Sequence, residues 1–403
     1  MHIIIACTCC TFFLSYSQAP VLKKDPLLVV ALMIKNEAPV IDYTLTPMVQ
    51  GGIDSFLIFD TGSTDDTIEK VRQFFSAHNI TNYAIEQENF VDFATSRNRA
   101  LDLVDKHFPE ATFIMMPDAE WLLRNGAELL KFCERNKEDC HASYLIRMVR
   151  NGQLEYYVDR LMRRESYCRF KSPVHEYLES PSVMSVPAGI FFEWNSTQYG
   201  DDKSRKRWAR DLGFLLKAYA ENPTDARTSF YLGQTYACLG DFENALRFYE
   251  LRSKLPSWEE ENYETLVRIA GTIEILAAKD TDKKKCYDWS LAMWYYLKAF
   301  STRQGRIEPL IHIARHYLAC HDYAIAYLFA IQACEIPYPE HEILFIEKEM
   351  YVYERYDIVA QCGLKIGEFA KGEWAVKKAL EHKPDDQHLQ ELFKMYVDQK
   401  LQG

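Results

Sequence analysis

The chain has 403 residues, 48% of them apolar and 14% aromatic, with a formal net charge of −11. That length predicts two domains with sizeable cores. It excludes a disordered chain, and the acidic balance excludes a general polyanion binder, which needs a basic surface. The eleven cysteines are scattered through a chain far larger than a disulfide-stapled miniprotein, so they read as mostly buried thiols.

In chain order, "MHIIIACTCCTFFLSYSQAP" comes first. Ile3 to Leu14 suits a signal-peptide core and is too short to span a bilayer, with Ser17-Gln18-Ala19 as a candidate cleavage site. No Lys or Arg precedes it, so residues 1–25 are expected to be a leader or a tail. A cytoplasmic location is favoured, with the secretory pathway as the alternative. Cys7, Cys9 and Cys10 sit inside this apolar segment, which disfavours a metal role for them. No other stretch approaches a transmembrane length.

"LLVVALMI" (Leu27 to Ile34) predicts a strand covered on both faces, and "APVIDYTLTPMVQ" a helix closed by Gly51-Gly52. "DSFLIFD" (Asp54 to Asp60) is a second strand, followed by a helix with Asp66 as N-cap and Glu69 in capping-box position. A short strand at Tyr83 to Ile85, a helix from Arg97 to Lys106 and a strand from Thr112 to Met116 continue the alternation. Such alternation predicts an α/β, Rossmann-like domain over 26–200, with a mostly parallel sheet and helices on both faces. "KSRKRWAR" (Lys203 to Arg210) reads as a solvated helix face at the junction.

Over 201–403 strand signals nearly vanish. "NPTDARTSFYLGQTYACLGDFENALRFYELRSKLP" resembles one tetratricopeptide repeat, a unit of about 34 residues. Gly233 and Ala245 would let its helices approach closely, with Tyr236, Phe242 and Tyr249 filling the groove. Weaker copies follow, so an all-α, tetratricopeptide-like repeat domain is expected.

Parallel sheets bind ligands beyond the carboxyl ends of their strands. Asp60 ends the second strand, while Asp118 and Glu120 follow the fourth. If extended geometry persists, positions i and i+2 point the same way, aiming both acids at one spot. Two like charges so placed call for a cation, and hard oxygen ligands suit Mg²⁺ or Mn²⁺. An exposed acidic turn is the plainer alternative.

"MIKNEAPVIDYTL", "IFDTGSTDDTIE", "FVDFATSRNRAL" and "MMPDAEWL" occur in this order. Together they resemble family 2 glycosyltransferases of the GT-A fold, of the bacterial and viral type followed by tetratricopeptide-like helices. The resemblance covers residues 27 to 200 and, more loosely, the helical half. It implies a metal-dependent, inverting transfer of sugar from a nucleoside diphosphate-sugar donor to a protein, peptide or glycan acceptor. By the same resemblance, Lys35, Asn36 and Glu37 approach the base, and Asp60 the base or ribose. Gly62 and Ser63 bring backbone to the nucleotide, and Arg97 and Asn98 lie near the diphosphate. Asp118 and Glu120 match the D-x-D metal motif, departing from it by the Glu and by Pro117. His175-Glu176 matches a His-Glu pair, with His175 as a further metal or phosphate ligand or a structural histidine, and Glu176 as general base. Asp159 is the second candidate for the base.

Two other readings stand beside this one. The helical half is an interaction scaffold on an inactive nucleotide-binding domain, or the chain is a nucleotidyltransferase. The latter would carry a Gly- and Lys-rich phosphate loop where Ala38-Pro39 follows Glu37.

Overall fold

The computed structural model describes residues 25–279 and 287–402. The apolar N-terminal segment, with Cys7, Cys9, Cys10 and the candidate cleavage site, lies outside the described residues.

The first half runs β1 (Leu28–Ile34), α1 (Ile41–Gln50), β2 (Ser55–Asp60), α2 (Thr67–Ala77), β3 (Asn82–Gln87), α3 (Phe93–His107) and β4 (Phe113–Met115). It continues through β5 (Leu122–Arg124), α4 (Gly126–Arg135), β6 (Ser143–Arg150), β7 (Leu154–Arg163), β8 (Arg169–Lys171), β9 (Tyr177–Glu179), β10 (Val183–Ser185) and β11 (Phe191–Trp194). Alternate residues of β1 serve opposite faces, as strand geometry requires. Val30, Leu32 and Ile34 pack with Ile41, Leu45 and Met48 of α1, Phe75 of α2 and Phe132 of α4. Val29 and Ala31 pack with Ala100, Leu101 and Val104 of α3. Helices therefore cover both faces, as expected.

The strand order is β3-β2-β1-β4-β7-β6-β11-β5, with β10 also paired to β6. Its first four strands are parallel, but β7 runs antiparallel to both β4 and β6. The sheet is thus mixed rather than mostly parallel. The cause is local: Asn151 and Gly152 both hold positive φ, 51° and 69°, which closes β6 and β7 into a hairpin.

Capping also differs from expectation. Asp66 occupies the N-cap of α2 without a side-chain cap bond, and Asp65 accepts from the Thr67 N–H at 3.1 Å instead. Glu69 pairs with Gln73 at 2.9 Å, so no capping box forms. At α3 the cap is Asp92, which accepts from the Thr95 N–H at 2.8 Å and starts the helix before Arg97.

The second half is helical: α5 (Gln198–Glu221), α6 (Ala226–Cys238), α7 (Phe242–Arg252), α8 (Glu259–Lys279), α9 (Trp289–Thr302), α10 (Glu308–Ala319), α11 (Tyr323–Cys334), α12 (Arg355–Ile366), α13 (Phe369–His382) and α14 (Gln387–Gln402). Each helix packs on the next, giving an array of hairpins. No helix among the described residues is long and apolar enough to cross a membrane. Among the described cysteines, Cys133, Cys168 and Cys362 are buried, while Cys140, Cys238 and Cys320 are exposed, so the thiols are only partly a core feature.

The halves share more than a linker. β12 (Ile346–Glu347), between α11 and α12, pairs antiparallel with β7 and so crosses the boundary expected at 200/201. Around it the Tyr157 N–H donates to the Ile343 carbonyl at 3.0 Å and the Lys348 N–H to the Gln153 carbonyl at 2.8 Å. Within "KSRKRWAR", Arg205 to Arg207 are exposed as expected. Arg210, however, lies over the rings of Phe90 and Phe93, 4.9 and 5.6 Å from their centroids.

Close approach in the first clear hairpin rests on Gly233. A Cβ there would stand 2.6 to 2.9 Å from the ring of Tyr249, itself 1% exposed. Gly233→Ala is therefore expected to cost about 1–3 kcal/mol through overpacking. Urea denaturation checks this, and a midpoint equal to wild type would show that the ring has room to move.

Candidate functional site

The carboxyl ends of β1 and β2 are laced together. The Thr61 N–H donates to the Ile34 carbonyl at 2.8 Å, the Asn36 N–H to Ser63 Oγ at 2.8 Å, and the Thr64 N–H to Asn36 Oδ1 at 2.7 Å. The Glu37 N–H donates to Thr67 Oγ1 at 2.8 Å. Asn36 holds a φ of 54° and Gly62 of 101°. A Cβ on Gly62 would lie 3.7 Å from Lys35 Nζ, so backbone and ammonium stand side by side. Lys35, Asn36, Glu37, Asp60, Gly62 and Ser63 are thus gathered at one strand edge. Asp60, fully buried, accepts from Ser63 Oγ at 2.6 Å, the Ser63 N–H at 3.0 Å and Gln87 Nε2 at 2.9 Å. Its carboxylate shapes this loop rather than facing a base or ribose.

Beside this edge lies a buried charge cluster. Arg97, on the first turns of α3 and 2% exposed, donates from Nη2 to Asp118 Oδ1 and from Nε to Glu176 Oε1 at 2.6 Å. Arg160 of β7 donates to the same Glu176 oxygen at 2.8 Å. Phe170 of β8 lies against both guanidinium groups, 5.5 Å from Arg97 and 5.2 Å from Arg160. Two cations and two anions make the cluster neutral, as burial demands. Burial alone would raise the pKa of Glu176, but Arg97 and Arg160 outweigh it and hold it at about 2. Burial works against the charge on Arg97 too, and Asp118 and Glu176 more than restore it. Arg97 Nη1 and Arg160 Nε are buried with no hydrogen-bond partner among the described residues. Asp118, its side chain 42% exposed, is the member that meets solvent.

Arg160 carries no motif, and sequence reasoning missed it. Only the antiparallel insertion of β7 beside β4 brings it to Arg97.

Several expected roles change. The strand ends at Met115, and Glu120 sits in a turn with φ 73°, so alternation does not align it with Asp118. Its Oε1 instead accepts from Thr197 Oγ1 at 3.2 Å. His175 is not a ligand beside these acids. Its ring stacks on Tyr231 of α6, centroids 3.9 Å apart at 8°, and burial pushes its pKa down to about 3. Among the described residues, the one group of three ligand types within 4.8 Å is Asp139, Cys140 and His141, not Asp118, Glu120 and His175. Asn98 is taken up by β8, donating to the Phe170 carbonyl at 2.9 Å and accepting its N–H at 2.8 Å. These two bonds use one of its two N–H donors and one lone pair of its oxygen, and fix the amide against β8.

Neither candidate base fits the task. Burial pushes the Asp159 carboxyl up to about 6, the range a base at neutral pH needs. Its partner, however, is the Ser143 hydroxyl, which donates at 2.8 Å and lies 2.8 Å from Ser180 Oγ, away from the cluster. Glu176 has the place without the basicity, and Asp159 the basicity without the place.

No protein-family model matches the chain, and no curated protein does. Among solved structures, MamA is similar at 14% identity over 47% of this chain and 96% of its own, with a TM-score of 0.34. TTC0263, a tetratricopeptide protein of Thermus thermophilus, is similar at 17% identity over 48% and 93%, with a TM-score of 0.32. YrrB, a tetratricopeptide protein with a peptide-binding site, is similar at 14% identity over 48% and 86%, with a TM-score of 0.34. The helical-repeat region itself is visible directly in the stacked hairpins α5 to α14.

Removing Glu176 leaves two buried guanidinium groups sharing one carboxylate. Glu176→Gln is expected to cost about 3–5 kcal/mol, the usual loss on breaking a buried pair. The folded pKa, about 2, lies below the ordinary value of 4.5. The unfolded chain therefore takes up the proton first as pH falls, and stability is lost between about pH 4.5 and 2. Wild type should show this acid-dependent loss and the Gln variant should lack that portion of it. Parallel acid titrations of the two would remove Glu176 from the cluster's energetics.

Proposed function

We propose that this chain is a metal-dependent glycosyltransferase that moves a sugar from a nucleoside diphosphate donor to a protein, peptide or glycan acceptor. The observation that carries the reading is the Arg97–Arg160 pair, two buried guanidinium groups beside the laced loops of β1 and β2. The reading rests as well on the resemblance of the ordered motifs to the GT-A family, which also implies inversion.

The roles follow from the chemistry of each group. The loop after β2, shaped by Asp60, offers Gly62 and Ser63 backbone where a nucleotide can approach closely. Lys35, next to Gly62, adds a positive charge there. Arg97 and Arg160 supply planar forks that match phosphate oxygens bidentately. Fixed in a low-dielectric site, they stabilise charge developing on a departing diphosphate without reorganising.

Oxygen donors of this kind suit a hard cation, though here Asp118 is paired with Arg97 and Glu120 is turned to Thr197. Asp118 and Glu120 offer carboxylate oxygens, with Asp118 open to solvent, and Mg²⁺ or Mn²⁺ binds through one or two carboxylates plus substrate phosphates. Such an ion, when bound, would neutralise the diphosphate as a leaving group. His175 has no part in this set.

One observation favours the scaffold reading instead: Asp118, the acid most needed for a metal, is already paired with Arg97. Thermal shift with Mn²⁺ and a panel of nucleoside diphosphates separates the two. A raised melting temperature with one nucleotide supports the transferase, and a flat response across the panel favours the scaffold.

Asp118→Asn and Glu120→Gln are each expected to lower metal-dependent donor hydrolysis by about a hundredfold or more with the fold intact. Near-wild-type turnover in both would take them out of the site. Arg97→Lys is expected to weaken nucleoside diphosphate binding by about tenfold or more, since a charge-assisted hydrogen bond is worth about 1.5–3 kcal/mol and a point charge does not copy the fork. Calorimetry giving unchanged affinity would count against that role.

A further inference from the structure

The loop that presents Glu176 is held by the helical half. Between β8 and β9 the chain runs Ser172-Pro173-Val174-His175-Glu176, and both Ser172 (φ 73°) and His175 (φ 51°) adopt the left-handed conformation without being glycine. Non-glycine residues adopt that conformation uncommonly, and two within four residues make the surrounding contacts worth following.

Those contacts come largely from α6. Val174, 2% exposed, belongs to the core of the helical half, alongside Leu215, Phe230 and Tyr231. The next residue, His175, lays its ring flat on Tyr231, and its carbonyl accepts from Arg227 Nη2 at 3.0 Å. Arg227 in turn lies over Tyr177 and Tyr231, 5.0 and 4.9 Å from their centroids, so it grips the segment on either side of Glu176. From the sheet side, the Phe93 N–H at the start of α3 donates to the Pro173 carbonyl at 3.0 Å. Arg227 and Tyr231 are four apart on one helix, hence on one face. Glu176 follows directly and turns back to Arg97 and Arg160.

We propose that α6 is a positioning element of the candidate site. Arg227 and Tyr231 hold the 172–176 loop in its left-handed turns, and so set Glu176 between the two arginines. The helical half then helps to shape the anion cradle. This inference rests on the proposed diphosphate site for its functional consequence. Its structural half stands separately.

The test uses the full chain as wild type, Tyr231→Leu, Tyr231→Phe and Arg227→Gln. Hydrogen exchange is followed in peptides spanning 172–178 and in α12 to α14, and calorimetry measures inorganic pyrophosphate binding with Mn²⁺. Tyr231→Leu and Arg227→Gln should speed exchange in 172–178 by about tenfold or more, leave α12 to α14 unchanged, and weaken pyrophosphate by about tenfold or more. Tyr231→Phe keeps the stacked ring and should restore both. Unchanged exchange of 172–178 in Tyr231→Leu and Arg227→Gln overturns the clamp. A freed loop with pyrophosphate affinity intact overturns its role in positioning. If wild type binds no pyrophosphate, the transferase reading falls, and the loop exchange alone then upholds or overturns the clamp.

Discussion

The pairing of Arg97 and Arg160 with Glu176 and Asp118 is the constraint on which the rest of the sheet domain depends. Taking charges out of water costs several kcal/mol per ion after relaxation, and only good geometry recovers it. The four groups come from α3, β7, the segment before β9 and the loop after β4. Displacing Glu176 leaves Arg160 without its carboxylate and Arg97 with Asp118 alone, so the cluster ties these segments together. The surrounding structure reads as support for that requirement. Asn98, one residue after Arg97, clamps β8 with two hydrogen bonds. This holds Phe170 under both guanidinium groups. Trp121, 7% exposed, lies 5.8 Å from Arg160 on another side.

Much of this was legible in the sequence where the signal was local or ordered. The apolar run at β1, the acid closing β2 and the ordered motifs pointed to Arg97 and Asp118, and the His-Glu pair to Glu176, though as a base. The structure joins Arg97 to those two acids across separations of 21 and 79 residues. What escaped was set by topology or by a break in regular geometry. Arg160 lies in "DRLMRRE", where nothing distinguishes it from its neighbours until β7 inserts beside β4. The alternation expected to align Asp118 with Glu120 fails because the strand has already ended. Asn151-Gly152 is a different case. It is a strong hairpin signal within the sequence, and reading it would have foretold the mixed sheet. The stacking of His175 on Tyr231 joins residues far apart in the chain and leaves no local trace.

The charge pattern also bears on how the site meets a ligand. With two cations and two anions the cluster has no net charge to offer a diphosphate at long range. For the proposed donor, what the cluster would offer is orientation: guanidinium groups already fixed by Glu176, with Asp118, the more exposed of the two acids, on the solvent side. A group whose counter-ion is on the solvent side can exchange it, whereas Glu176, 7% exposed and held twice, cannot. Asp118 is therefore the exchangeable partner and Glu176 the fixed one.

The two halves are structurally joined. β12 completes the sheet from within the helical array. Glu155 of β7, 3% exposed, is bound by Lys348 at 2.8 Å and Tyr338 at 2.8 Å, both from beyond the helical half's midpoint. Separated from that half, Glu155 would keep, among the described residues, the Arg147 ion pair at 3.3 Å, and the loop carrying Glu176 would lose Tyr231 and Arg227. The helical array thus meets the sheet domain at two places, one of them the residues flanking Glu176, whose carboxylate pairs with both arginines. The joint makes physical sense if the geometry of the charge cluster is what the helices preserve.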